Sequence, residues 1–338
     1  MSYSPIMVIH GGAGVIPDSM LTETYRTEVV SALKQSAQLG FDLMVNEGSA
    51  LAAVVASVQV LEDCPQFNAG CGSVFTRDGT IEMDAGVMDG RTRKSGCVAG
   101  LTLNPILAAK VVFDHTPHPY LSGDPAQHFV TQHGVELATN VDYFSTPLRR
   151  RQLELFRSEL EANATIAGKL DHDVDTKKEL HKQTGTVGAV AIDRDGQLAA
   201  SSSTGGVTGK YRGRVSDSSI PGAGFWADDS VAVSLTGFGD VFINTCAAHE
   251  IAMQYRYSVD KNLKAICASV VHSGCLASDR AGLIAVSKPQ RTTGALTKES
   301  CIESVATPFN TPGMYRAVMR EGLAEPLVGI RQSDIKGY

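Results

Sequence analysis

The stretch from Gly185 to Gly206, GTVGAVAIDRDGQLAASSSTGG, constrains this chain more than any other. An apolar run over 187–192 reaches Asp193-Arg-Asp-Gly196 and returns through 197–203. Two β-prone runs about an Asp-Gly turn predict a hairpin. Its small residues predict a sheet face that another layer approaches closely. Thr186 opens the first arm. If the Gly185–Thr186 bond were cut, Thr186 would carry a hydroxyl and a free α-amine on neighbouring carbons. An α-amine has an ordinary pKa near ~8, close enough to neutral to take the hydroxyl proton. Nucleophile and base would then share one residue. Most strand-opening threonines only pack or pair, so the rest of the chain must decide.

At 338 residues the chain is long enough for one large domain or two, with 43% apolar and 20% charged residues. A net charge of −6, with Arg149-Arg-Arg151 as the densest basic cluster, gives no footprint for nucleic acid. Seven scattered cysteines form no CxxC pair, which predicts reduced thiols in a cytoplasmic protein. A buried-strand pattern over 6–9 begins almost at once, with no leader before it. No run approaches a membrane span, so no membrane partner is expected.

Taken in order, the strand at 6–9 runs into His10-Gly-Gly-Ala-Gly14. Helical spacing over 21–39 stops at Gly40. Ser49 is the expected N-cap of a buried helix over 50–61. A loop over 62–72 precedes a predicted hairpin, 73–76 with 80–84 about Arg77-Asp-Gly79. A third hairpin is predicted about Arg280-Ala-Gly282, pairing 275–277 with 283–286. Hairpins of this kind favour stacked antiparallel sheets. Asn104-Pro105 and Asp124-Pro125 read as N-cap/N1 pairs. Residues 149–162 are expected to be helical, 165–184 an exposed linker, 240–257 a helix and 287–304 a polar insertion.

Several familiar chemistries fail on single residues. Gly209-Lys210 lacks the flanks of a phosphate loop, because Thr204 and Tyr211 stand at its defining positions. His249-Glu250 is followed by Met253 rather than a second histidine, and the Asp171–Asp175 cluster by Thr176 rather than glycine. No G-x-S-x-G elbow occurs. None of the nine histidines is assigned to catalysis.

Six segments in one order then carry a resemblance: VIHGGAG (8–14), FNAGCGSVFTRDGTIEMDAGVMDG (67–90), GTVGAVA (185–191), STGG (203–206), GRVSDS (213–218) and TGFGD (236–240). Together they resemble the isoaspartyl peptidase/L-asparaginase family, the plant-type asparaginases within the N-terminal-nucleophile hydrolases. The resemblance implies an α+β fold, a four-layer αββα sandwich of two antiparallel sheets between helix layers. It implies a proenzyme that cuts itself between Gly185 and Thr186 into 1–185 and 186–338, pieces that stay together and pair as (αβ)₂. It implies Thr186 as nucleophile, Thr204 orienting it, and the Thr236 hydroxyl with the Gly237 N–H as oxyanion hole. Arg214 would fork onto a substrate α-carboxylate. Asp217, helped by the Gly239 carbonyl, would take the α-ammonium, with Asn68 nearby. Main-chain carbonyls of Leu61, Glu62, Cys64, Phe67, Ala69 and Cys71 match a loop that wraps a structural sodium ion; no cofactor is expected for the chemistry. The chain departs from the family pattern at Gly209, Arg212, Ser216 and Ser219, where Asn, Pro, Gly and Pro are usual.

The implied substrates are L-asparagine and β-aspartyl dipeptides, small molecules with a free α-carboxylate, a free α-amine and a β-acyl group. A glycosylasparaginase-type hydrolase is the alternative, suggested by 220–224, 227–229 and 236–240. Against it stand the missing leader and Gly185, since that branch usually has Asp before its nucleophile. A threonine endoprotease of the same fold, or an uncleaved, non-catalytic binding protein, would keep the fold without this activity.

Overall fold

The computed structural model describes residues 2–16, 18, 21–101, 104–136, 141–167, 185–289, 303–335 and 337. The first half of the chain supplies strands β1 (Ile6–Gly14), β2 (Met83–Asp89), β3 (Ser95–Leu101) and β4 (Tyr120–Ser122). Its helices are α1 (Glu23–Glu47), α2 (Ala50–Glu62), α3 (Pro105–His115), α4 (Gly123–Gln132) and α5 (Pro147–Ala167). The second half adds β5 (Val187–Ile192), β6 (Leu198–Thr204), β7 (Phe225–Ala227), β8 (Val231–Gly237), β9 (Ala281–Ser287), β10 (Val305–Ala306), β11 (Gly313–Arg320) and β12 (Leu327–Gly329). Helices α6 (Gly239–Thr245), α7 (Ala247–Tyr257) and α8 (Leu263–His272) follow β8.

Two sheets result, ordered β12-β11-β1-β5-β6-β2-β3-β4 and β10-β9-β8-β7. The period-2 rule sorts the side chains of β5 cleanly. Ala189 and Ala191 face a core shared with Leu33, Met44, Val54 and Val58 of α1 and α2. Val190 and Ile192 face the other sheet, among Phe225, Ala232 and Ile284. A third core joins Val233, Leu235 and Leu283 of the smaller sheet to Phe242, Ile251 and Val271 of α6, α7 and α8. The layers are therefore helix, sheet, sheet, helix, as the sequence resemblance implies.

The central hairpin forms as expected, with Val187 opposite Ser203 and Ile192 opposite Leu198. The other two do not. Residues 73–77 spend their backbone groups elsewhere. Val74 N–H donates to the Asn68 side chain, the Phe75 carbonyl accepts from Gly209, and Arg77 N–H donates to Lys210. The turn itself survives, with Thr76 N–H bonded to the Thr80 carbonyl at 2.8 Å and Gly79 N–H to the Thr76 carbonyl at 3.0 Å. Residues 275–277 fold back on α8, with Leu276 N–H bonded to the Val270 carbonyl, while β9 pairs with β8 and β10. The larger sheet is also not purely antiparallel: β3 and β4 run parallel. Helix α3 crosses over between them, and a crossover returns the chain in the same direction.

Helix ends need similar corrections. Ser49 caps α2, its hydroxyl accepting from Ala52 N–H. Ser122, not Asp124, is the N-cap residue of α4, and Pro125 lies inside its first turn. Asn104 precedes Pro105 at the start of α3 but makes no capping bond with its side chain. The helix expected over 240–257 breaks at Cys246, whose φ is +48°. The linker expected over 165–184 and the insertion expected over 287–304 lie mostly outside the described residues, but 165–167 continue α5 rather than open a linker.

Gly40 does not end α1; the helix passes through it to Glu47. A Cβ there would sit 2.2 Å from the Ser57 hydroxyl oxygen and 2.9 Å from the Met7 methyl. The glycine is a contact point between α1, α2 and β1 rather than a stop. Replacing it with alanine gains about 1 kcal/mol in helix propensity but overpacks this contact, at a cost of about 1–3 kcal/mol. Gly40→Ala is expected to lower the midpoint of denaturant unfolding; an unchanged or raised midpoint would contradict this packing.

Candidate active site

One step beyond the β5–β6 ladder, Thr186 and Thr204 come together. The Thr186 hydroxyl, 7% exposed with its residue, donates to the Thr204 Oγ1 at 3.2 Å. Thr204 is fully used. It also accepts from Gly206 N–H at 3.0 Å and donates to the Gly185 carbonyl at 3.3 Å. That same carbonyl accepts from Asn68 Nδ2 at 2.8 Å. Asn68 is fixed in turn, since Nδ2 also donates to the Gly206 carbonyl at 2.7 Å and Oδ1 accepts from Val74 N–H at 3.0 Å. The carbonyl preceding Thr186 is thus polarised by two side-chain donors beside a hydroxyl. Gly12, at φ +111°, leaves the room: a Cβ there would lie 2.7 Å from Gly185 Cα and 3.3 Å from Thr186 N.

A second group gathers around Asp217. Cβ atoms on Gly239 and Gly224 would lie 2.0 and 2.6 Å from its carboxylate oxygens, so two glycines let the backbone close over it. Burial pushes the Asp217 carboxyl up to about 7, against the pull of Arg214. Arg214 donates to Asp240 at 2.7 Å through Nη2, while its buried Nη1 has no partner among the described residues. Nη1 lies over Gly206, where a Cβ would come within 3.0 Å. Gly206 therefore joins the Asp217–Arg214 group to the Thr204–Asn68 group.

Thr236 and Gly237 end β8. The buried Thr236 hydroxyl accepts from Ala13 N–H at 3.1 Å, and among the described residues its own proton meets no acceptor. Gly237 has φ +141°, and a Cβ would lie 2.1 Å from the Arg280 carbonyl. Only glycine closes the strand there.

The loop between α2 and Asn68 is drawn tight. The carbonyls of Leu61, Cys64 and Ala69 accept from Cys64, Phe67 and Gly72 N–H at 3.2–3.3 Å. Cβ atoms on Gly70 and Gly72 would lie 2.3 and 2.0 Å from the Glu62 and Phe67 carbonyls, so the two sides of the loop touch. Cys71 is buried against it. This tight turn carries Asn68, whose Oδ1 accepts from Val74 N–H. Glu62, at its start, receives Ser203 Oγ and Ile106 N–H on one carboxylate oxygen.

The departures from the family pattern are absorbed locally. Ser216 sits at φ −90°, ψ 163°, an extended conformation open to any residue. Its N–H donates to Asp84 at 2.8 Å, which anchors the Arg214–Asp217 loop to β2. Ser219 shares a 2.7 Å hydrogen bond with the Tyr120 hydroxyl, a contact proline could not make. Gly209 packs on Phe156 of α5 at φ +73°, where a Cβ would lie 2.2 Å from the ring. Arg212 is an exposed partner of Glu82.

One residue of the site was not found from sequence. His10 is buried, its Nδ1 2.9 Å from the Thr186 carbonyl and its Nε2 3.0 Å from Ser234 Oγ. Burial pulls its pKa down to about 3, so the ring is neutral. The carbonyl can only accept, which places the single ring proton on Nδ1 and leaves the one Ser234 proton shared between His10 Nε2 and the Ser201 carbonyl, 3.1 Å away. His10 thereby ties the Thr186 backbone to the strand that carries Thr236. Gly188 makes space for it, since a Cβ would lie 2.4 Å from Nε2. A histidine before two glycines looks like a strand exit, and only the fold brings β8 against it.

Comparison with known proteins gives the family. A family model described as asparaginase matches residues 3–325. The chain belongs to the asparaginase family, a family of hydrolases. It is 43% identical over 316 residues to the isoaspartyl peptidase of Escherichia coli, covering 92% of each chain. It is 35% identical over 289 residues to the isoaspartyl peptidase/L-asparaginase of Bos taurus, covering 84% of this chain and 87% of the bovine one. A probable isoaspartyl peptidase/L-asparaginase of Arabidopsis thaliana is 33% identical over 332 residues, 93% of this chain and 95% of its own. Among the described residues, no helix is long and apolar enough to cross a membrane.

The neutral state of His10 is directly measurable. As pH falls below 6.5, exposed histidines gain a proton, whereas a folded-state value near 3 keeps this ring neutral. Because the folded value is depressed, native stability is undiminished above 6.5 and declines as pH falls towards 3. Imidazole ¹⁵N shifts at pH 5 should show His10 neutral and protonated on Nδ1. A protonated ring in the folded protein at that pH would contradict the assignment.

Proposed function

We propose that this chain is an autoprocessing amidohydrolase acting on L-asparagine and on β-aspartyl dipeptides through Thr186. The observation that carries it is the junction itself: a threonine hydroxyl beside a carbonyl already bonded by Asn68 and Thr204. In self-cleavage, Thr186 Oγ1 bonds to the Gly185 carbonyl carbon and the C–N bond breaks. The hydroxyl proton passes to the nitrogen, which becomes the α-amine. Water then hydrolyses the resulting ester, giving residues 1–185 and 186–338, which remain one folded unit because β5 lies between β1 and β6.

The mature site repeats the chemistry on substrate. The Thr186 α-amine takes the hydroxyl proton as Oγ1 attacks the β-acyl carbon, and returns it to the departing nitrogen. The Thr236 hydroxyl and Gly237 N–H receive the oxyanion. Arg214, with one unused Nη, forks onto the α-carboxylate. Asp217 and the Gly239 carbonyl hold the α-ammonium. The turn at 61–71 offers neutral main-chain oxygens of the kind a hard cation takes. A sodium ion there would be held by the carbonyls of Leu61, Glu62, Cys64, Phe67, Ala69 and Cys71, bracing the turn that carries Asn68. Pairing as (αβ)₂ and a cytoplasmic location complete this reading; the scattered cysteines support the latter.

Two outcomes test it. Intact mass of purified protein should resolve into fragments split at Gly185/Thr186, while Thr186→Ala stays whole. The mature protein should turn over asparagine or β-aspartyl dipeptides; failure on both would overturn the assignment, and release of glycans from glycoasparagine instead would favour the alternative.

Asp217 gives a pH signature. Its folded value, about 7, is raised above the ordinary 3.8. The neutral form therefore stabilises the ligand-free protein fully below 3.8, and that contribution is lost as pH rises through about 7. Binding an ammonium requires the carboxylate, so kcat/KM should climb through this range. Asp217→Asn should cost at least about 100-fold in kcat/KM, mostly through KM. A pH-independent profile from 5.5 to 7.5 would contradict the role.

A further inference from the structure

A buried guanidinium lies on the other flank of the junction. Arg149, in the first turn of α5, is 4% exposed. Its Nε donates to the Gly72 carbonyl at 2.7 Å and its Nη1 to Gln152 Oε1 at 3.1 Å, both neutral partners. Among the described residues no carboxylate pairs with it, and burial pulls its pKa down to about 10. A buried cation held only by neutral groups is unfavourable. This one lines a cleft of about 500 Å³, counting its open mouth, together with Gly12, Asn68, Gly185, Tyr25 and Tyr315. The two tyrosine hydroxyls meet at 3.4 Å across it. The cleft thus runs from the residue before the nucleophile to an anion-seeking group.

The reaction geometry says what belongs there. The acyl half of a β-aspartyl substrate carries its charges towards Arg214 and Asp217. The departing nitrogen must be within reach of the Thr186 nitrogen, and that nitrogen packs against Gly12. Gly12 and Gly185 both line the Arg149 cleft. The leaving half therefore faces Arg149. In a β-aspartyl dipeptide that half is an amino acid, with a carboxylate one carbon from the departing nitrogen. We infer that the Arg149 cleft is a leaving-group subsite that takes the α-carboxylate of the C-terminal residue of β-aspartyl dipeptides.

This rests on the amidohydrolase reading and makes a sharper demand. The free acid of a dipeptide should be preferred over its C-terminal amide, because a site built around a charged partner rejects an analogue that lacks it. The test compares kcat/KM for β-aspartyl-leucine and β-aspartyl-leucinamide in the mature native protein and in Arg149→Gln. The native ratio is expected to be at least about tenfold in favour of the acid, and to collapse towards unity in Arg149→Gln whatever its absolute rates. Arg149→Lys, which keeps the charge, should retain part of the preference. The native ratio stands as a test even if the glutamine variant fails to mature. A native ratio near unity overturns the subsite and leaves the amidohydrolase reading intact. A preference that persists unchanged in Arg149→Gln overturns Arg149 as its source. Native protein that cleaves neither compound overturns both readings. A cleft filled instead by the new Gly185 carboxylate would give the unity ratio.

Discussion

The grip of Asn68 and Thr204 on the Gly185 carbonyl is the interaction on which the rest depends. It requires the 61–72 turn to present Asn68, and the β5–β6 ladder to set Thr204 beside Thr186. It also requires glycine at 12, where any side chain would strike the junction. Each requirement is met by a different part of the chain. The four layers serve to bring these parts to one end of the larger sheet.

Charge is distributed around the junction with some economy. Arg214 and Asp217 lie on one side, Asp217 more buried than its charge would prefer, and each keeps capacity for a ligand. Arg149 lies on the other side, with no anion of its own among the described residues. Neutral His10 supplies a hydrogen bond to Thr186 without adding a charge.

Much of this was legible in the sequence, because it depended on short motifs. The central hairpin, the Ser49 cap and the small residues at contact points follow from local chemistry. What was not legible depended on partners distant in the chain. Residues 73–77 have the pattern of a strand, yet their backbone bonds go to Asn68 and Lys210. Gly40 looks like a helix stop, yet it is a contact between three elements. His10 is 224 residues from Ser234, and no spacing rule connects them. Arg149 sits in a charged run that suggests a solvated helix face, and only the fold turns its first turn inward.

The central claim is that the Thr186 hydroxyl forms the bond to substrate. The most direct measurement is mass spectrometry of protein quenched in acid during turnover of a β-aspartyl dipeptide, followed by digestion. The account predicts an aspartyl ester on the peptide that begins with Thr186, absent when substrate is withheld. An acyl group on any other residue, in protein that is turning substrate over, would contradict it.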